Sequence, residues 1–181
     1  MIWQNKMLIE FRVKNFRSFR DEQVLSLVAS QDKTLKDTHT IATDFAAVPH
    51  VLRSAVIYGA NASGKSNLLK ALQYMRRVVI ESAAEIKPDQ TYPIQPFRLD
   101  NESAAQASEF EVTFILDAVR YQYGFTMTSQ RIMSEYLLVY KSAKPQRWFE
   151  RRFDLETGKD IYEYGPGLKG SKALWEGATR P

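Results

Sequence analysis

The sequence predicts an α/β domain that carries an antiparallel β subdomain, and three observations predict it. The apolar run SAVIY at residues 54–58 leads without a break into GANASGKS at 59–66, and an amphipathic segment follows. Two short alternating segments, at residues 8–16 and 24–28, precede this unit. Beyond residue 109 the apolar period becomes two and holds through four segments. A strand–loop–helix unit beside a series of period-two strands is the pattern of an α/β layer joined to an antiparallel meander.

LIEFRVKNF, at 8–16, alternates apolar and polar residues and so reads as a half-buried strand. Residues 17–22 are polar and read as a turn; VLSLV at 24–28 alternates again, which makes the pair a hairpin. The polar stretch 29–50, with Pro49 near its end, reads as loop. SAVIY is almost continuously apolar, as suits a strand buried on both faces. In the segment after the glycines, Leu68, Leu72, Met75 and Val79 recur at steps of four, three and four, one face of a helix. Residues 84–108 hold Pro88, Pro93 and Pro96 and a polar run, the composition of a long excursion. Segments 110–116, 119–127, 132–140 and 147–153 then read as strands of a meander. GPGLKG at 165–170 breaks the pattern, and Ser171 is placed to cap a helix over KALWEGATR. No internal repeat is visible.

The totals bound the chemistry. The 181 residues are 44% hydrophobic, enough for a core and too many for a disordered chain. A net charge of +4 permits contact with phosphates without demanding it. With no cysteine and two histidines, disulfides, thiolate metal sites, cysteine nucleophiles and histidine-rich metal centres are excluded. The absence of cysteine agrees with a reducing cytoplasm, the expected location. No apolar run approaches the roughly 20 residues of a membrane helix, so no membrane partner is expected.

GANASGKS fits G-x-x-x-x-G-K-[ST], and each residue type has a physical reason. Gly59 and Gly64 allow backbone geometry that a Cβ would obstruct, so the chain can wrap an anion closely. Ala60, Ala62 and Ser63 are small and, with Asn61, leave the loop open. Amides of the loop and of the helix N-terminus then point at a phosphate. Lys65 reaches the β- and γ-phosphates as a point charge and Ser66 offers a hydroxyl to Mg²⁺; residues 59–66 with Asn67 are the expected nucleotide-binding set. ATP and Mg²⁺ are the expected cofactors. Hydrolysis by this class of site also needs an acid at the end of a second apolar strand. VTFILD, ending at Asp117, is the one candidate, but Ala118 follows and the chain turns at once into VRYQY. Asp117 is therefore expected in a turn rather than at a magnesium site.

FRVKNFRSF, GANASGKSNLLKAL and the meander together resemble the N-terminal ATP-binding half of the RecF/SMC-like branch of ABC-type ATPases. The likeness is closest to bacterial AAA family ATPases, including RloA-like and abortive-infection proteins of phage-defence loci. It rests on Asn15-Phe16-Arg17-Ser18-Phe19, on Tyr58-Gly59 through Asn67, on PFRLD at 96–100, and on SEFEVTFILDAVRYQYGF at 108–125. The resemblance implies a P-loop NTPase fold of ABC-ATPase type with an antiparallel β subdomain, present as an incomplete N-terminal portion. The expected division is an ATPase lobe over 1–165, with the meander at about 109–164, and the start of a following segment at 166–181. The resemblance also implies that Arg17 lies near the nucleotide phosphates and that a glutamine, locally Gln95, contacts Mg²⁺ or water. It implies a later half with an LSxG signature segment, an acidic pair and a switch histidine, none of which this sequence contains. Two such heads sandwich ATP, so the implied partners are a second head, as a homodimer of the complete protein, with DNA or RNA and an effector nuclease as further partners. This chain is accordingly expected to bind ATP with little or no turnover alone.

Other features admit two readings. Arg76, Arg77, Lys141, Lys144, Arg147, Arg151 and Arg152 either meet nucleic-acid phosphates or solvate exposed faces. Tyr121, Tyr123, Phe125, Tyr136, Tyr140, Trp148 and Phe149 either stack bases or form core and cross-strand pairs, the commoner role in a meander. Two rival functions remain: a P-loop kinase of small molecules, which needs an arginine-rich lid where 84–108 has only Arg98, and a non-hydrolysing adaptor that binds protein through the meander.

Overall fold

The computed structural model describes residues 6–81 and 92–168. Its main feature is one seven-stranded sheet in the order β2-β1-β5-β6-β7-β8-β9, with every neighbouring pair antiparallel. The strands are β1 (Lys6–Lys14), β2 (Gln23–Ser26), β5 (Ser108–Leu116), β6 (Val119–Met127), β7 (Ile132–Tyr140), β8 (Gln146–Asp154) and β9 (Lys159–Tyr164). The expected hairpin near the start is β1–β2, and the expected meander runs from β5 with one strand more, β9, whose tyrosines pair across to Phe149 and Arg151.

The helix α2 (Lys65–Glu81) lies on one face of this sheet. Ala71, Met75 and Val78 are its buried residues, packed with Phe11 and Val13 of β1, Phe110 of β5 and Phe125 of β6. The buried stripe thus runs through Ala71 and Val78, and Val79, expected on it, is 43% exposed. Ala71 has no side chain beyond Cβ, so the helix axis sits close to the sheet and the stripe rotates toward it. Phe16, Tyr74 and Phe110 close the aromatic part of this core, with ring centroids 5.4 to 5.7 Å apart. Apolar burial of this kind contributes roughly 25 cal/mol per Å².

The opposite face of the sheet is polar. Arg12 on β1 meets Glu10 at 2.6 Å and Glu22 at 3.1 Å, and Gln122 donates to Glu111 at 2.8 Å. Tyr136 donates to Glu111 and Tyr140 to Gln122, so these two tyrosines are cross-strand hydrogen-bond partners. Burial, then the bond to Glu111, pushes the Tyr136 phenol up from its ordinary value. On the helix-facing side, Tyr123 donates to Glu135 at 2.6 Å, and Arg151 pairs with Glu135 at 2.9 Å. Arg147 pairs with Glu150 and Glu163. Arg147 and Arg151 therefore spend their charge inside the sheet's own ion pairs.

Two expectations are corrected. The stretch 29–50 is not all loop: it holds the short α1 (Lys36–His39) and the strands β3 (Thr40–Ala42) and β4 (His50–Leu52), which pair with each other. Val48 and Val51 bury against Ile9 and Ile115, a small second core that the polar residues around them masked in the sequence. More important, residues 54–58 do not form the expected buried strand. They are irregular, with Val56 70%, Ile57 37% and Tyr58 85% exposed. A strand buried on both faces needs a sheet around it. The strands described here pair among themselves, and none pairs with 54–58. Residues 92–99 carry no regular structure and α3 (Asn101–Ala105) follows, capped by Asp100 accepting from the Ser103 amide at 2.6 Å. The expected helix over 172–180 lies outside the described residues. Among those described, no helix is long and apolar enough to cross a membrane.

Candidate nucleotide-binding site

The glycine loop leads directly into α2. Asn67 and Leu68 donate their amides to the Gly64 carbonyl, at 2.8 and 3.1 Å, which starts the helix at the loop's last glycine. The amides of Lys65 and Ser66 belong to the first turn, where no intrahelical acceptor exists, so they remain for a ligand. Gly64 has φ +94°, and a Cβ there would stand 2.8 Å from Cε1 of Phe19 and 3.1 Å from Oγ of Ser18. Only glycine fits this position. Gly59 is less constrained, since a Cβ would meet only the mobile Oγ of Ser63, at 2.7 Å. Ala62 adopts φ +63°, a left-handed conformation that costs an alanine about 1 kcal/mol. Such strain is typical of loops shaped for a ligand.

The Lys65 ammonium donates to the carbonyls of Gly59, at 2.8 Å, and Ala60, at 2.7 Å. The side chain thus folds back over the loop and brings a positive charge to its mouth. Asn61 and Ser66 are exposed there. Helix N-terminus, cation and exposed hydroxyl are converged on one small volume, the donor set that a polyphosphate requires.

The second wall of the site comes from the end of β1. Phe16 and Phe19 exchange both backbone hydrogen bonds, at 2.8 and 2.9 Å, around a two-residue turn of Arg17 and Ser18. Arg17 sits at φ +53°, as does Asn15. Asn15 is 2% exposed and clamps the turn from below. Its amide donates to the carbonyls of Ser103, Gln106 and Ala107, and its Oδ1 accepts from the Phe97 amide at 3.0 Å. From above, Asn67 donates to Oγ of Ser18 at 2.8 Å, and the Phe19 ring lies against Gly64. The Arg17 amide donates to the Gln95 carbonyl at 2.8 Å.

The structure therefore brings together the glycine loop, the turn that carries Arg17, and the backbone of Gln95. The side chain of Gln95 is exposed, and its link to the site is through its carbonyl. Arg17 Nε is shielded from solvent and has no hydrogen-bond partner among the described residues, and its guanidinium carbon lies 5.6 Å from the centroid of the Phe16 ring. The Lys65 ammonium over the loop and the first-turn amides of α2 are groups that fit a nucleotide polyphosphate. Asn67, expected as part of the cradle, instead spends its amide on Ser18. Sequence reasoning missed Asn15, Ser18 and Phe19 as parts of the site. The signal was present in NFRSF, since Asn and Ser favour turns that hydrogen-bond back to the chain.

Asp117 falls where the turn reading puts it. It and Ala118, at φ 49° and 57°, form the two-residue connection of β5 to β6, flanked by the Leu116–Val119 pair. Positive φ at both central residues is the type I′ hairpin geometry.

No curated protein matches the chain. Residues 54–164, from the apolar run before the glycine loop to the end of β9, match one protein family, whose description reads "AAA domain, putative AbiEii toxin, Type IV TA system". The match takes in the loop, α2 and the meander, more than half of the chain, and so this chain belongs to that AAA domain family, whose members carry an ATP-binding P-loop.

Proposed function

We propose that this chain is the ATP-binding lobe of a RecF/SMC-like ATPase of ABC type, with a P-loop NTPase fold completed by strands that the described residues do not supply. The observation that carries the reading is the loop 59–66 opening the 17-residue α2, with Lys65 at its mouth. Lys65 holds the β- and γ-phosphates, the amides of Lys65 and Ser66 orient them, and Ser66 offers its hydroxyl to Mg²⁺. Bound Mg²⁺ would supply charge neutralisation across the β- and γ-phosphate oxygens. Arg17 adds a second cation, and Gln95 is the candidate for a magnesium or water contact.

The incomplete-lobe part of the reading is supported by exposed apolar surface. Val56, Ile57 and Tyr58 lead into the loop uncovered. Leu69 and Ile80, which are 53% and 54% exposed, lie on the face of α2 opposite its buried stripe. An apolar segment and an apolar helix face, both uncovered, are suited to further strands packed over them. The paired-head arrangement, coupling to nucleic acid or an effector nuclease, and a role in phage defence follow from the likeness of NFRSF and YGANASGKSN to that branch.

Asp117, the candidate acid, sits in a hairpin turn rather than at a strand end beside the loop. The chain is therefore expected to bind Mg·ATP and to release phosphate only at background rate. Calorimetric titration and a phosphate-release assay on the 181-residue chain test both statements. The expected result is saturable binding that Lys65→Ala removes, without turnover. Steady phosphate release that Lys65→Ala abolishes would contradict the turnover statement, and absence of binding heat would contradict the nucleotide reading.

A further inference from the structure

We infer that Ser18 and Asn67 are positioning residues which brace the phosphate-facing turn of α2 against the end of β1; the inference rests on the nucleotide reading of the loop. The Asn67 side chain donates to Ser18 Oγ at 2.8 Å, across 49 residues of sequence. Asn67 also donates its backbone amide to Gly64, at 2.8 Å, so a single residue ties Ser18 to the glycine that starts the helix. Between them stand Lys65 and Ser66, the residues that face the terminal phosphates and the metal. The Phe19 ring fills the space a Cβ of Gly64 would need and packs against the main core beside Leu68.

The anchor beneath is rigid. The turn is closed by two backbone hydrogen bonds between Phe16 and Phe19 and held by the fully engaged Asn15 side chain. A brace from a rigid turn to the first helical residues limits the rocking of α2's N-terminus. The groups that gain from this are those needing fixed geometry, the Ser66 hydroxyl toward a divalent cation above all. The same turn carries Arg17 one residue away, so this hydrogen bond, with the Phe19 ring against Gly64, ties the turn to the loop.

The brace predicts a specific loss. Ser18→Ala and Asn67→Ala should each weaken Mg·ATP about five-fold, the worth of one hydrogen bond. ADP measured in EDTA should weaken less, because the metal-dependent part of affinity is what the brace protects. The melting temperature of the nucleotide-free chain should stay within about 2 °C, as the bond is solvent-exposed. The double variant should be no weaker than either single one, since both remove one shared bond. Ser18→Thr, which keeps the hydroxyl, should bind as the parent does. Equal loss for Mg·ATP and for ADP in EDTA, or additive losses in the double variant, would overturn the brace. So would unaltered Mg·ATP binding by both single variants while Lys65→Ala still abolishes it, a result that would leave the nucleotide reading standing. Failure of the parent chain to bind Mg·ATP would remove the nucleotide reading and the brace together.

Discussion

Gly64 is the residue on which the site's geometry turns. Its φ of +94° and the Phe19 ring 2.8 Å from a built Cβ exclude every other side chain without movement. Lys65 and Ser66 follow it immediately, so a shift at Gly64 displaces both functional groups. Gly64→Ala should destabilise the chain by about 2 kcal/mol, through left-handed strain and the displaced ring, and should abolish Mg·ATP binding. Urea denaturation and calorimetry measure the two effects. An alanine variant of parental stability would mean that the Phe19 contact is not formed. At this scale the sequence was most legible: the spacing of Gly59, Gly64, Lys65 and Ser66 reports a backbone path that local sterics dictate. Ser18 was not legible, because its role is defined by Asn67, a residue brought to it only by the packing of α2 on β1.

At the scale of elements, period-two alternation located β1, β5, β6, β7 and β8, and β1 shows the cause most plainly, with Ile9, Phe11 and Val13 buried and the polar residues between them half-exposed. β3 and β4 were missed because three-residue strands are too short to show a period. The apolar run 54–58 was misread for a different reason. Its composition reports the environment that suits it, a sheet on both sides, while its structure here reports the environment the described residues provide. The β5–β6 connection gives the clearest energetic test of an element. Ala118 is held at φ 57° in a type I′ turn where glycine is the preferred residue. Ala118→Gly should raise stability by about 1 kcal/mol by relieving that strain, and should leave Mg·ATP binding unchanged because the turn is at the far side of a strand from any site residue. A rise in the urea midpoint at constant slope is the expected result; a fall would mean the turn geometry is wrong.

For the whole molecule, the seven-stranded antiparallel sheet is a platform whose role is to hold one helix, and through it one loop, in place. Ala71, Met75 and Val78 fix α2 on the sheet; β1 then ends at the turn that walls the loop. Leu69 and Ile80 of α2 face away from that platform, and residues 56–58 are exposed as well. An AAA-family ATP-binding domain of this form presents its phosphate loop on a well-held helix N-terminus.

The most direct test of the central claim is amide hydrogen exchange of the full chain with and without Mg·ATP. The account predicts protection concentrated at residues 59–67, with a weaker effect at 16–19, and none in the β5–β9 meander. Protection confined to the meander, with the glycine loop exchanging at the same rate in both conditions, would contradict it.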